Sequence, residues 1–171
     1  LLAIAPRRPE RFDEVARQVE ASGLRVVRST GSADGAADVY LLDTIGELAS
    51  LYLHASLAFI GGSLVRRGGH NPIEAWAAGV PVVVGPHTEN FREITARGRD
   101  LGILTRVAHA GELSTALSSE LADRSRLSSR GAAARRFVAS NRGAAEATAD
   151  RGVNRLVASL ETAGIPPSAN V

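Results

Sequence analysis

The stretch Gly61-Gly62-Ser63-Leu64-Val65-Arg66-Arg67-Gly68-Gly69-His70-Asn71-Pro72-Ile73-Glu74 decides how this chain is to be read. Ahead of it, Leu57–Ile60 is a short apolar run that reads as a buried strand. Behind it, Ile73–Ala78 reads as a helix closed by Gly79. A strand thus ends in a glycine-rich loop, and the loop delivers a helix N-terminus. Glycines let the backbone come close to a ligand, and the amides at a helix start attract an anion. Pro72 suits the first helical turn, and Asn71 stands where a cap would be. Glu74, just inside the helix, offers a carboxylate that can accept hydrogen bonds from sugar hydroxyls. Together these predict a site for a nucleotide sugar, with Ser63 as a further phosphate donor.

Working outward, apolar runs alternate with helical patterns. Leu1–Ala5, Leu24–Val27, Val39–Leu42, Leu57–Ile60, Pro81–Val84 and Leu101–Leu104 read as strands. Between them, Arg11–Ala21 (stopped by Gly23), Gly46–Ala55, Ile73–Ala78 and Asn90–Arg97 read as helices. Gly46–Ala55 has Leu48, Leu51 and Tyr52 on one face. This alternation predicts an α/β fold, a Rossmann-like parallel sheet flanked by helices, with ligands beyond the carboxyl ends of the strands. The last third changes character: Glu112–Leu121, Arg124–Ala139 and Ala144–Ala163 are helical patterns, giving a helical C-terminal tail. Gly31–Ala37 reads as a flexible connection, and no internal repeat is found.

Composition sets bounds. At 171 residues with 44% hydrophobic and 22% charged residues, the chain suits one ordinary globular domain with a real core. With no cysteine, disulfides and thiolate metal sites are excluded. No apolar run approaches the roughly 20 residues that span a bilayer, and no signal peptide is visible. All 20 basic residues are arginine, which we read as base composition. A net charge of +2 with 4% aromatic residues argues against a nucleic-acid surface. The chain contains no methionine and starts on an apolar strand pattern. We therefore expect a fragment that lacks its N-terminal part.

Four segments taken together resemble one family. They are Pro6-Arg7-Arg8-Pro9-Glu10-Arg11-Phe12, Asp43-Thr44-Ile45-Gly46-Glu47-Leu48, Gly61–Glu74, and Gly85-Pro86-His87-Thr88-Glu89-Asn90-Phe91. In order and spacing, over about residues 1–105, they resemble the C-terminal domain of 3-deoxy-D-manno-octulosonic acid (Kdo) transferases, GT-B glycosyltransferases of Gram-negative bacteria. The resemblance implies a nucleotide-sugar-binding domain over residues 1–140 whose first strand and helix are missing, a C-terminal helix and tail over 141–171, and an absent N-terminal acceptor domain. It implies CMP-Kdo as donor substrate, no other cofactor, and a lipid A precursor as acceptor. It also implies a place at the cytoplasmic face of the bacterial inner membrane, with membrane and acceptor engaged only through the missing part. Members commonly have histidine where this chain has Arg8, and often glycine where it has Leu42.

By the same resemblance, the residues at CMP are Pro6, Arg7, Ile45, Gly46, Glu47, Asn71, Pro72, Ile73 and Glu74, and the catalytic base belongs to the missing domain. Each has a plainer reading. Arg7 follows a predicted strand end, where it can face phosphate or simply sit near Glu10 at the surface. Asp43 or Thr44 can cap a helix, with Glu47 completing a capping box. Asn71 can be an ordinary cap and Glu74 a first-turn acid favoured by the helix dipole. His70 and His87 lack a third ligand, so no metal site is expected, and a loop-ordering or acceptor-side role suits them better. Trp76, among alanines, reads as core. The architecture alone also admits another GT-B enzyme with a UDP-sugar donor, or a non-catalytic nucleotide-binding module.

Overall fold

The computed structural model describes residues 1–31 and 36–141. Two compact units divide the chain at Ala55 and Ser56. The predicted helix Ala144–Ala163, the rest of the tail and part of the Gly31–Ala37 connection lie outside the described residues.

The first unit is built on a three-stranded parallel sheet, β1 (Leu2–Ile4), β2 (Val26–Arg28) and β3 (Val39–Leu41), in the order β1-β3-β2. Val39 pairs with Leu2 on one side and Val26 on the other. β3 is central, and Val39 and Leu41 are buried. A 3-10 turn at Pro9–Arg11 leads into α1 (Phe12–Ala21). Phe12, Ala16 and Val19 form its buried stripe at helical spacing. The sequence reading began this helix at Arg11, one residue early. α2 (Leu48–Tyr52) is a single short helix with Leu48, Leu51 and Tyr52 half-buried. The longer predicted helix from Gly46 fails because Gly46 adopts φ +92°.

Asp43 joins the ends of β2 and β3. Its carboxylate accepts bonds from Ser29 Oγ (2.6 Å), Thr30 N–H (3.1 Å), Thr30 Oγ1 (2.6 Å) and Arg28 Nε (2.6 Å). Its own N–H donates to Ser29 Oγ. The side chain is buried, so it caps no helix, contrary to the sequence reading. Burial alone would push this carboxyl up, but the bonds from Ser29, Thr30 and Arg28 prevail and hold it well below the usual carboxylate range.

The second unit holds another three-stranded parallel sheet: β4 (Ala58–Phe59), β5 (Val82–Val84) and β6 (Leu104–Arg106), in that order. Val82 pairs with Ala58 and with Leu104, and β5 is buried throughout. The flanking helices are α3 (Ile73–Ala77), α4 (Arg92–Asp100, entered by a 3-10 turn at Glu89–Phe91), α5 (Ala110–Ala122) and α6 (124–141). Trp76 is fully buried and meets Phe137 edge-on, ring centres 5.5 Å apart. The Arg97 guanidinium lies 5.5 Å from the same Phe137 ring. On α6, Arg135 donates to the Ala78 carbonyl. Buried Arg130 bonds the Glu120 carboxylate, Thr105 Oγ1 (3.0 Å) and the Gly102 carbonyl.

The predicted strand Leu101–Leu104 lies three residues too early. Helix α4 runs to Asp100, and Gly102 closes it at φ +68°. Gly102 N–H bonds Arg99 O, and Ile103 N–H bonds Gly98 O, the paired bonds of a Schellman motif. The same pair of bonds closes α1 at Gly23 and α3 at Gly79.

Two measurements probe these contacts. In an open helix, Gly→Ala stabilises by about 1 kcal/mol. At Gly98, however, an added Cβ would lie 2.6 Å from the Trp76 ring and 3.3 Å from Leu104 Cβ. Gly98→Ala is therefore expected to destabilise by about 1–3 kcal/mol in denaturant titration. For Asp43, the depressed folded-state pKa contributes stability that is fully present above the unfolded value of about 3.9 and is lost as pH falls below it. The stability difference between the parent chain and Asp43→Asn should accordingly narrow as unfolding is followed from pH 7 to pH 3.

Candidate functional site

In a parallel sheet, the loops that leave the carboxyl ends of neighbouring strands emerge at one edge. In the first unit, Pro6 and Arg7 follow β1, and Thr44–Glu47 follow its neighbour β3, so the structure brings both predicted segments to the same edge. Arg7 is exposed and Pro6 half-buried, while Arg8 pairs with Glu10 at 3.9 Å. Thr44 Oγ1 bonds the Glu47 carboxylate, closing the turn side chain to side chain; the expected capping box is not formed. Ile45 is 66% exposed at the crest of this turn, an apolar side chain that the fold itself does not use. The positive φ of Gly46 is what turns the chain there.

In the second unit, the loop after β4 lies against the loop after β5. Ser63, read from the sequence as a phosphate donor, is fully buried instead. Its Oγ donates to the Ile60 carbonyl (2.5 Å) and accepts from Gly85 N–H (2.9 Å), so the hydroxyl is bonded within the fold. Its carbonyl takes His87 N–H at 2.9 Å. Gly85 is required here, because a Cβ would sit 2.3 Å from the Ser63 oxygen.

Further along the same loop, Gly68 and Gly69 turn at φ +78° and +73°. Asn90 grips this corner: its N–H donates to Gly68 O and its Nδ2 to Arg67 O, both at 3.1 Å. The loop then delivers α3. Asn71 Oδ1 accepts Ile73 N–H at 3.0 Å from one residue ahead of the cap position, which Pro72 occupies, so the first helical amide is already engaged. Pro72 is buried, Ile73 half-buried and Glu74 exposed in the first turn. With five residues, α3 has little dipole to offer, which leaves the Glu74 carboxylate and the Asn71 side-chain amide as its main polar groups.

The sequence reading assigned no site role to Arg66 or Arg67; these two and Asn90 come together in the structure. With Gly68, His87 and Glu89 they line an open cleft of about 570 Å3. The signal was the Arg66-Arg67 pair directly before Gly68-Gly69, which had been set aside as base composition. His87 was read as ordering a loop or serving the acceptor side; its N–H bonds the Ser63 carbonyl and its ring lies 3.3 Å from the Glu89 carboxylate. Among the described residues, no group of three or more His, Asp or Glu side chains is placed to hold a metal ion.

No protein-family model matches the chain. A 3-deoxy-D-manno-octulosonic acid transferase of Bordetella pertussis is 41% identical over 153 residues, 88% of this chain and 36% of that protein. One from Haemophilus influenzae is 45% identical over 96 residues, 55% of this chain and 22% of that protein. The chain thus spans about a third or less of the length of these curated relatives. Among solved structures, the C-terminal CMP-Kdo binding domain of WaaA from Acinetobacter baumannii matches with a TM-score of 0.72 at 33% identity, over 78% of this chain and 71% of that one. With its parallel sheets, its loops and these likenesses in agreement, the chain belongs to the 3-deoxy-D-manno-octulosonic acid transferase family and corresponds to the C-terminal domain.

Proposed function

We propose that this chain holds CMP-Kdo for a transferase that moves Kdo to a lipid A precursor in lipopolysaccharide biosynthesis. The observation that carries this is the match to a domain that binds CMP-Kdo, in a chain whose Gly61–Glu74 segment is bonded to the residues after β5 through Ser63 and Arg67. On this reading, Glu74 accepts the ribose hydroxyls and Asn71 Nδ2 donates to the nucleotide. Arg7 neutralises the phosphate, and Pro6, Ile45, Gly46, Glu47, Pro72 and Ile73 shape the pocket. Ser63 supports the loop from beneath.

The chemistry follows from the donor. A lipid A hydroxyl oxygen attacks the anomeric carbon of Kdo, and the bond from that carbon to the phosphate oxygen breaks with inversion. CMP leaves with the electron pair, and the hydroxyl proton goes to a base. Positive charge fixed near the phosphate stabilises the charge that develops there. In a GT-B enzyme the base comes from the opposing N-terminal domain, at the cytoplasmic face of the inner membrane. Among the described residues, no helix is long and apolar enough to cross a membrane, so on this reading the membrane is met through another part of the protein.

Titration calorimetry tests the site. Glu74→Gln keeps the size but removes the charge-assisted bonds to the ribose, and should weaken CMP about ten- to hundredfold. Equal affinity in the variant removes Glu74 from the site. Catalysis is tested separately by Kdo incorporation into a lipid A precursor, with CMP-Kdo generated in place. Residues 1–171 alone should give no turnover, because base and acceptor positioning are both missing. Adding a family N-terminal domain, fused or in excess, should restore it. Robust turnover by residues 1–171 alone would place the base among Glu47, Glu74, Glu89 and His87.

A further inference from the structure

Arg66 and Arg67 stand at the turn of the loop that follows β4, and nothing proposed above gives them a task. They line the open cleft of about 570 Å3 with Gly68, His87, Glu89 and Asn90. That volume is ample for a single sugar acid. The charges in the cleft are unequal. Glu89 lies 3.3 Å from the His87 ring nitrogen, while among the described residues no ion pair includes Arg66 or Arg67. Both arginines are exposed.

The backbone that carries them is already fixed. Arg67 N–H donates to Val65 O at 2.6 Å, and Asn90 bonds the carbonyls of both Arg67 and Gly68. A Cβ on Gly68 would lie 2.5 Å from the Asn90 amide group, and one on Gly69 would lie 3.1 Å from the His87 carbonyl. Two adjacent cations are therefore presented on a loop that a ligand need not order, which removes part of the entropy that binding would otherwise lose.

We infer that Arg66 and Arg67 form a subsite for the carboxylate of the sugar acid carried by the donor, and so select an acidic sugar over a neutral one. The inference rests on the donor-domain function proposed above. The loop that carries the pair also carries Asn71 and Glu74 a few residues on, so nucleotide and sugar are met by one continuous segment. A guanidinium fork matches the planar carboxylate with two parallel bonds, a geometry that an ammonium does not offer. Glu89, on the rim, is engaged by His87 and leaves the arginines to the ligand.

The test compares two ligands on three proteins: the parent chain, Arg66→Ala with Arg67→Ala, and Arg66→Lys with Arg67→Lys. CMP and freshly synthesised CMP-Kdo are titrated by competition, with circular dichroism to confirm folding. The parent should bind CMP-Kdo more tightly than CMP. The alanine pair should lose about tenfold or more in CMP-Kdo affinity while CMP stays within about twofold, and the lysine pair should recover only part of the loss. An equal loss for both ligands would assign the arginines to the nucleotide phosphate and overturn the subsite, as would unchanged affinity for both. Failure of the parent chain to bind either ligand would overturn the donor-domain function itself, a result distinct from the other two.

Discussion

The approach of two backbones at Ser63 and Gly85 is the constraint on which the second unit's site depends. One buried hydroxyl joins the end of β4, through the Ile60 carbonyl, to the residue that leaves β5. A buried hydroxyl without partners is destabilising by roughly 1–3 kcal/mol, so the pairing is specific as well as favourable. Because Gly85 has no side chain, the Ser63 carbonyl can also receive His87 N–H. From that contact follow the position of His87, the packing of Gly69 beside it, and the reach of Asn90 to the carbonyls of Arg67 and Gly68.

Both units handle the exits of their strands with side chains that bond backward along the chain. In the first, Asp43 gathers Arg28, Ser29 and Thr30 and fixes where β3 ends. In the second, Ser63 does this at β4. Each leaves the next few residues free to form a turn beyond the strand: Thr44–Glu47 in one unit and the Leu64–Asn71 segment in the other. The helices are stopped in a common way as well, with glycine at Gly23, Gly79 and Gly102 and the paired carbonyl bonds that follow. Such abrupt stops send the chain into the next apolar segment within a few residues, which is how short elements can make a regular parallel sheet.

Much of this was legible in the sequence. Five of the six apolar runs mark a strand, while the sixth, Leu101–Leu104, shares only Leu104 with β6; Gly23 and Gly79 were recognisable as stops because a helical pattern preceded them. Gly102 was not, because Leu101, Ile103 and Leu104 around it read as one continuous strand; only the α4 end bonds reveal that Leu101 still belongs to the helix cap. The burial of Ser63 escaped the sequence for a different reason. A serine in a glycine loop looks exposed, and the partner that buries it is 22 residues away. Asp43 was misread likewise, since the hydroxyls that hold it lie 13 and 14 residues earlier. Local pattern cannot encode those distances. Asn71 needed only its neighbour at Ile73, so its bond at the start of the helix was legible, one residue ahead of the cap at Pro72.

The Gly61–Gly69 loop separates the residues that hold it from those it displays. Ser63, Gly68 and Gly69 face the Gly85–Asn90 segment, where even one added carbon would crowd a neighbour. Val65, Arg66 and Arg67, between them, are exposed and carry their side chains outward. Mutation can therefore sample new side chains at those three positions while the backbone that presents them keeps its course. A loop divided in this way can change what it displays from one relative to the next without passing through unfolded ancestors.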